Sequence, residues 1–324
     1  MDLLEQIASY DNLQRAAKTC ARGKRQSQGY QNFFANQGDH LVSIRRDLIS
    51  ASYSWSAHRK FIVHDPKSRT ISAPIFKDRV THTAICNYVE PVLDKELYNH
   101  VYACRKNRGN RRAVIDLLVA LRNLGKNRFV VKLDVEKYFD SIDQGLLFGM
   151  LKIVLPDDSL NSLLQSLLSN YSSDKGAGKG LPIGSLTSQI FANFYLNGAD
   201  KIASESLGVG FCFRYMDDFV LLGNDRAQVW EAAYKICHFV EEHLKLKLPF
   251  TKRHPLGNDP VPFLGFVVDE DGYRSLTRNK RRHIKRLRRL DKTDARESQK
   301  EQVRCSFAAW ENLDPHLSRR LSEV

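Results

Sequence analysis

Residues 213–223 read FRYMDDFVLLG: two acids, Asp217 and Asp218, stand between two short apolar runs. FCFRYM and FVLLG have the composition of buried strands, and only the acid pair separates them. Adjacent carboxylates in a tight turn between buried strands are costly unless a cation compensates. A hairpin tip carries both groups out of the sheet toward solvent or an ion. An ordinary Asp-Asp turn is the plain alternative. The dense aromatic and β-branched flanks set this stretch apart from one.

A third acid lies upstream. RFVVKLDV (128–135) is a short apolar strand with Asp134 near its end, and two aromatics, Tyr138 and Phe139, follow it closely. Alone, Asp134 reads as a helix N-cap. Beside the Asp217-Asp218 hairpin it becomes the third carboxylate of a site for hard divalent ions. Mg²⁺ is held by one or two carboxylates plus substrate phosphates. Two such ions about 3.5–4 Å apart can activate an attacking hydroxyl and stabilise the leaving oxygen.

The rest of the chain supplies the frame. Residues 1–50 read mainly as helices, with Leu3, Leu4 and Ile7, then Leu41, Ile44 and Leu48, at helical spacing. A basic stretch containing Arg22, Lys24 and Arg25 lies between them. Residues 60–72 alternate polar and apolar around an Asp-Pro-Lys turn and predict a hairpin. Helices are expected at 77–90, ended by Pro91, and at 112–124, 145–171, 186–204 and 226–245. FLGFVVDEDGYRSL (263–276) predicts a second hairpin with an Asp-Gly turn. Gly176-Ala177-Gly178-Lys179-Gly180 lacks the G-x-x-x-x-G-K-[ST] spacing and follows a helix, so it reads as a flexible basic connection, not an ATP site.

Fifty Lys and Arg against 37 Asp and Glu give 324 residues a net charge of +13. A polyanionic partner is implied, and aromatics interleaved with the cations favour nucleic acid over a membrane surface. At 42% hydrophobic the chain has enough apolar side chains for a real core, which excludes a largely disordered protein. No apolar run approaches the roughly 18 residues of a membrane helix, and no basic-then-apolar leader opens the sequence, so a cytoplasmic location is expected. The six cysteines form no CxxC, which argues against a zinc ribbon or a disulfide framework. RNKRRHIKRLRR (278–289) carries eight cations in twelve positions, which repel one another without a phosphate backbone to meet.

Taken in order, these stretches resemble the reverse transcriptases. KLDVEKYFDSI (132–142) looks like the first palm motif and RYMDDFVLL (214–222) the second carboxylate motif, with GLPIGSLTSQIFANFYL (180–196) between them. IVHDPKSRTIS and FKDRVTH resemble the fingers, FLGF the primer-grip hairpin and the basic tail a short thumb. The resemblance implies an α+β right-hand polymerase with an antiparallel palm sheet: N-terminal helices and fingers at 1–125, palm at 126–272 with a fingers-like insertion at 145–180, helical thumb at 273–324. It spans roughly residues 10–315. The pattern I-G-x-x-x-S-Q at Ile183–Gln189, YACRKNRGNRRAV (102–114) and SFAAWENL (306–313) are similar to diversity-generating retroelement reverse transcriptases. Group II intron maturase-like and defence-associated reverse transcriptases are the alternatives, and a non-enzymatic scaffold is disfavoured by the intact acid triad.

The resemblance also implies roles. Asp134, Val135, Asp217 and Asp218 would hold two Mg²⁺ ions, with Mn²⁺ as the alternative. Lys252 would protonate departing pyrophosphate. Lys67, Arg69, Val135, Phe139, Ile183, Gly184 and Gln189 would contact the incoming deoxynucleotide. Phe139 would exclude a ribose 2′-hydroxyl, with Tyr138 the competing wall. Most relatives carry Gln at Ile183, and losing that polar restraint should relax base discrimination, chiefly opposite template adenines. Arg22, Lys24, Arg25, Arg278, Lys280, Arg281, Arg282, Lys285 and Arg286 would grip template RNA and the RNA/cDNA hybrid. A small basic oligomeric accessory protein and a bacterial or phage origin are implied as well.

Overall fold

Alternation along three short strands builds the sheet at the centre of a computed structural model of the chain. The structure describes residues 2–64, 68–208, 210–248, 254–255 and 259–276, together with Arg281, Lys285, Glu297 and Glu301. Four helices come first: α1 (Leu3–Ile7), α2 (Tyr10–Ala21), α3 (Gln28–Ala35) and α4 (Gln37–Ile49). The hairpin of β1 (Arg59–His64) and β2 (Ser68–Ala73) precedes α5 (Phe76–Glu96) and α6 (Asn110–Leu124). Strand β3 (Phe129–Asp134) leads into α7 (Tyr138–Ser141), α8 (Gln144–Val154), α9 (Asp158–Ser169), α10 (Leu186–Tyr195) and α11 (Asn197–Ser206). Then follow β4 (Phe211–Tyr215), β5 (Asp218–Gly223), α12 (Arg226–Glu242), β6 (His254–Pro255), β7 (Val261–Phe263), β8 (Phe266–Val268) and β9 (Tyr273–Ser275).

The central sheet is antiparallel in the order β4-β5-β3-β6. Successive side chains of a strand point to opposite faces, so each strand feeds two cores. Val131, Leu133, Phe219 and Leu221 bury themselves against the helical layer that includes α10, α11 and α12. Val130, Val220 and Leu222 face the other way, against α6 and the β7-β8-β9 meander. Each fully buried aliphatic side chain contributes about 1.5–3 kcal/mol. This double burial is what makes both strands read as near-continuous apolar runs.

Some expectations change in detail. Helix α5 runs through Pro91 to Glu96 instead of stopping there. A proline removes one hydrogen bond and crowds the carbonyl four residues back. That residue is Asn87, and both Asn87 and Pro91 are exposed, so water can serve the freed carbonyl while buried Val89 and Leu93 hold the helix on the core. Residues 145–171 form two helices, because Pro156 disfavours helix at Leu155 and Asp157 accepts the Leu160 N–H at 2.8 Å to cap α9. Residues 186–204 are likewise split, at Leu196. The glycine-lysine loop is tied down: Lys179 pairs with Asp143 at 2.8 Å, and Gly180 N–H donates to the Ile142 carbonyl. The FLGF stretch gains a third strand. Leu264 and Gly265, both at positive φ, turn β7 into β8, the backbone demanded by a tight two-residue hairpin.

Among the described residues no helix is long and apolar enough to cross a membrane, and no disulfide joins the cysteines.

Candidate active site

The register of β3 against β5 brings the distant acids together. Asp134 is the Cα partner of Asp218, and Asp218 is also paired with Tyr215 across the β4-β5 hairpin. Met216 and Asp217 make the turn. Met216 takes φ 55°, a left-handed conformation that costs a non-glycine residue about 1 kcal/mol or more. Asp134 and Asp218 occupy the sheet face that carries Val130 and Val220. There the meander covers the strand as far as Lys132, whose Nζ donates to the Pro262 carbonyl at 2.7 Å, and stops. Beyond that edge Asp134 is exposed and Asp217 and Asp218 are half-buried.

Crowding sets the electrostatics. Burial, helped by the neighbouring Asp134 and Asp218 charges, pushes the Asp217 carboxyl up to about 6, while Arg69 of the β1-β2 hairpin pulls in the opposite direction. Burial also raises Asp218, with the Asp134 charge adding to it, although Lys132 lies 3.4 Å away and opposes the shift. Neighbouring like charges thus add to the cost of ionising Asp217 and Asp218, and a cation would relieve it. The donor set is entirely hard oxygen, which suits Mg²⁺ or Mn²⁺. Among the described residues no three His, Cys, Asp or Glu converge tightly enough to hold an ion unaided. A divalent ion held here would need further oxygen ligands, such as the phosphates Mg²⁺ commonly takes. Val135 is buried in the core, so only its main chain could join them.

Between β3 and α7 the chain turns, and the two aromatics take different surroundings. Lys137 sits in the left-handed region, and α7 starts immediately after it. Tyr138 turns inward: it is buried, and its hydroxyl donates to the Ala192 carbonyl. Phe139 stays half-buried, edge-to-face with Tyr138 at 5.7 Å.

The segment between the acids meets the β1-β2 hairpin. Ser72 N–H donates to the Ile183 carbonyl at 2.8 Å. Gly184 has φ +130°, and a Cβ there would lie 3.0 Å from Ile71 Cγ2 and 3.2 Å from the Ser72 carbonyl. Glycine thus permits both the backbone conformation and the close approach. Ser185 caps α10, and its hydroxyl shares hydrogen bonds with Thr187 and Ser188. Behind them His82, which burial keeps neutral with a pKa of about 3, shares a hydrogen bond with Thr187 at 2.9 Å. Arg22, Gly184 and Gln189 line one cleft of about 260 Å³ together with Arg79.

The structure therefore brings together Asp134, Asp217, Asp218 and Arg69, and separately Arg22, Gly184 and Gln189. Lys24 and Arg25 are exposed in the turn after α2, and Arg281 and Lys285 are exposed and helical. Lys67, Lys252, Arg278, Lys280, Arg282 and Arg286 lie outside the described residues. Lys132 escaped the sequence reading, although its place two residues before Asp134 puts it on the same face.

Residues 63–268 match the family model described as reverse transcriptase (RNA-dependent DNA polymerase). The chain belongs to the reverse transcriptase family. Protein YkfC of Escherichia coli K12 is 27% identical, over 69% of this chain and 70% of that protein. The group II intron-encoded protein LtrA of Lactococcus lactis subsp. cremoris is 24% identical, over 53% of this chain and 32% of that protein. Among solved structures, apo telomerase from Candida tropicalis superposes with a TM-score of 0.52 at 11% identity, over 69% of this chain and 49% of that one. Telomerase from Candida albicans in complex with a fragment of telomeric RNA gives 0.52 at 12%, over 74% and 51%. This reverse transcriptase thus has the right-hand polymerase fold, and it spans about half of the telomerase chains and a third of LtrA.

Proposed function

We propose that this chain copies an RNA template into DNA, adding deoxynucleotides to a primer 3′-hydroxyl and releasing pyrophosphate. The observation that carries the reading is Asp134 opposite Asp218 with Asp217 in the adjoining turn, three carboxylates gathered at one end of the sheet, with the Arg69 charge near enough to act on Asp217. Two bound Mg²⁺ ions would supply charge stabilisation for an in-line displacement. The chain's own work is positioning. Asp134, Asp217 and Asp218 hold the cationic centre, and Arg69 pairs with the triphosphate through charge-assisted contacts. Phe139, the less buried of the two rings, excludes the 2′-hydroxyl. The exposed Arg22, Lys24, Arg25, Arg281 and Lys285 follow the nucleic-acid backbone by charge and shape. Fingers at 1–125, palm at 126–272 and thumb at 273–324 complete the assignment.

We assign it to the diversity-generating class, with synthesis that is error-prone at template adenines, and with a small basic accessory protein as partner. Ile183 supports this: a half-buried apolar side chain stands where the family resemblance implies a hydrogen-bonding Gln. The similarity to LtrA favours a second reading, a group II intron-type enzyme. Primer extension on a defined RNA, with products sequenced, tests both. Adenine-specific misincorporation by the wild type, lost in Asp217→Asn together with all synthesis, is the expected result. Faithful products and stimulated splicing of a flanking intron RNA would favour the intron-type enzyme. No extension by the wild type would overturn both.

A further inference from the structure

Arg214 is the fourth of the five residues of β4 and is wholly buried, as is its partner Asp200 on α11. Its guanidinium has five N–H donors, and the structure uses all of them. Nε and one terminal nitrogen grip the two Asp200 oxygens at 2.7 and 2.5 Å. That second nitrogen also donates to the Asn193 carbonyl at 2.9 Å. The other terminal nitrogen donates to Asn193 Oδ1 and to the Met216 carbonyl, each at 3.0 Å. Four bonds thus anchor the group in α10 and α11, and the fifth reaches into the acid turn.

The anchor is itself braced. His100 Nε2 lies 3.1 Å from Asp200 Oδ1, and Asn193 donates to the Ala103 carbonyl at 2.7 Å. The main chain of Arg214 bonds the His100 carbonyl and the Tyr102 N–H, so the segment before α6 covers the outer edge of β4. A buried ion pair adds little net stability, since desolvation offsets the attraction. Fold stability alone therefore gives a weak reason for this residue. Geometry gives a stronger one. The Met216 carbonyl belongs to the peptide plane from which Asp217 projects, and Met216 holds a left-handed conformation that needs an external restraint. A swing of about 20° in that plane would move a carboxylate about 3 Å from the axis by about 1 Å.

We propose that Arg214, clamped by Asp200 and Asn193, is a positioning residue that fixes the Met216-Asp217 peptide and so holds Asp217 in place against Asp134 and Asp218. It touches no substrate. It is the cross-strand partner of Phe219 and lies on the helix-covered face, opposite the one that carries Asp134 and Asp218. Lysine cannot replace it, because one ammonium cannot make the bidentate pair and also reach the turn. The proposal rests on the polymerase reading above.

The test uses the full chain, with three variants: Arg214→Lys, Asn193→Ala, and the double variant Arg214→Met with Asp200→Leu. The double variant removes the buried pair entirely and is expected to fold. Thermal melting and RNA binding report folding, steady-state extension gives kcat and KM, and electron paramagnetic resonance follows Mn²⁺ binding without needing turnover. Misplacement by about 1 Å predicts a kcat loss of about 10²-fold with KM for deoxynucleotide nearly unchanged, and Mn²⁺ affinity weakened about tenfold. Asn193→Ala, which leaves the Asp200 pair intact, should lose several-fold in kcat even if the other variants fail to fold. Folded variants with wild-type kcat and Mn²⁺ affinity overturn the brace alone. A folded wild-type chain that neither extends primers nor binds Mn²⁺ overturns the polymerase reading and the brace with it.

Discussion

Replacing Asp217 with asparagine should abolish DNA synthesis and, without metal, make the protein more stable. The folded carboxyl titrates at about 6 instead of 3.8, because burial and its acidic neighbours disfavour the charge. The folded state therefore holds this proton more tightly than the unfolded chain. The resulting stability is fully present below about pH 3.8, falls as pH rises, and is lost above about pH 6. Two pKa units correspond to about 3 kcal/mol, and solvent screening at the half-open cleft reduces this to about 1–2 kcal/mol. At pH 7.5 in EDTA the nearly isosteric Asp217→Asn variant should melt about 2–6 °C higher than wild type. The gap should shrink toward pH 5, where the wild-type carboxyl is largely protonated. Adding Mg²⁺ should raise the wild-type melting temperature more than the variant's, since binding to the folded state alone stabilises it. Differential scanning calorimetry over pH 5–8, with and without Mg²⁺, makes the measurement. A variant that melts at or below wild type at pH 7.5 in EDTA would refute the crowded-carboxylate account.

Phe139→Ala should admit ribonucleotides, lowering deoxy-over-ribo selectivity at least tenfold in single-nucleotide incorporation; unchanged selectivity would move the gate to another residue. Gly184→Ala forces a side chain against Ser72 at a positive φ, at a cost of about 1–3 kcal/mol. It should lower the melting temperature and raise KM for the nucleotide by loosening the hairpin, and a neutral result in both would show that the close approach is dispensable. Ile183→Gln should reduce misincorporation opposite template adenines in sequenced products, with kcat little changed.

Much of the site was legible because it is written locally. An acid at the end of an apolar strand and an acid pair between two more announce a hairpin beside a strand terminus, and the match of Asp134 with Asp218 follows once the strands pair. Helix starts were equally readable where Asp or Ser stands ready to cap, as at Asp143 and Ser185, but the second start at Asp157 was hidden inside one long apolar stretch. Pro91 misled, because its effect depends on whether the carbonyl of Asn87 faces water. Tyr138 and Phe139 could not be ranked from order alone, since a left-handed Lys137 decides which ring turns inward.

The sequence by itself determined the strands, their two-sided apolar character and the three acids at their ends, because periodicity and turn chemistry act over a few residues. Tertiary structure alone decided what meets those acids. Arg214 in an apolar strand looks like an anomaly until α10 and α11 supply Asn193 and Asp200. Lys132 gains its partner from the Pro262 carbonyl, 130 residues away in sequence, and Gly184 finds its reason in Ser72 of the hairpin. A buried polar group must find its hydrogen bonds wherever packing brings donors and acceptors together, and no local pattern records that meeting.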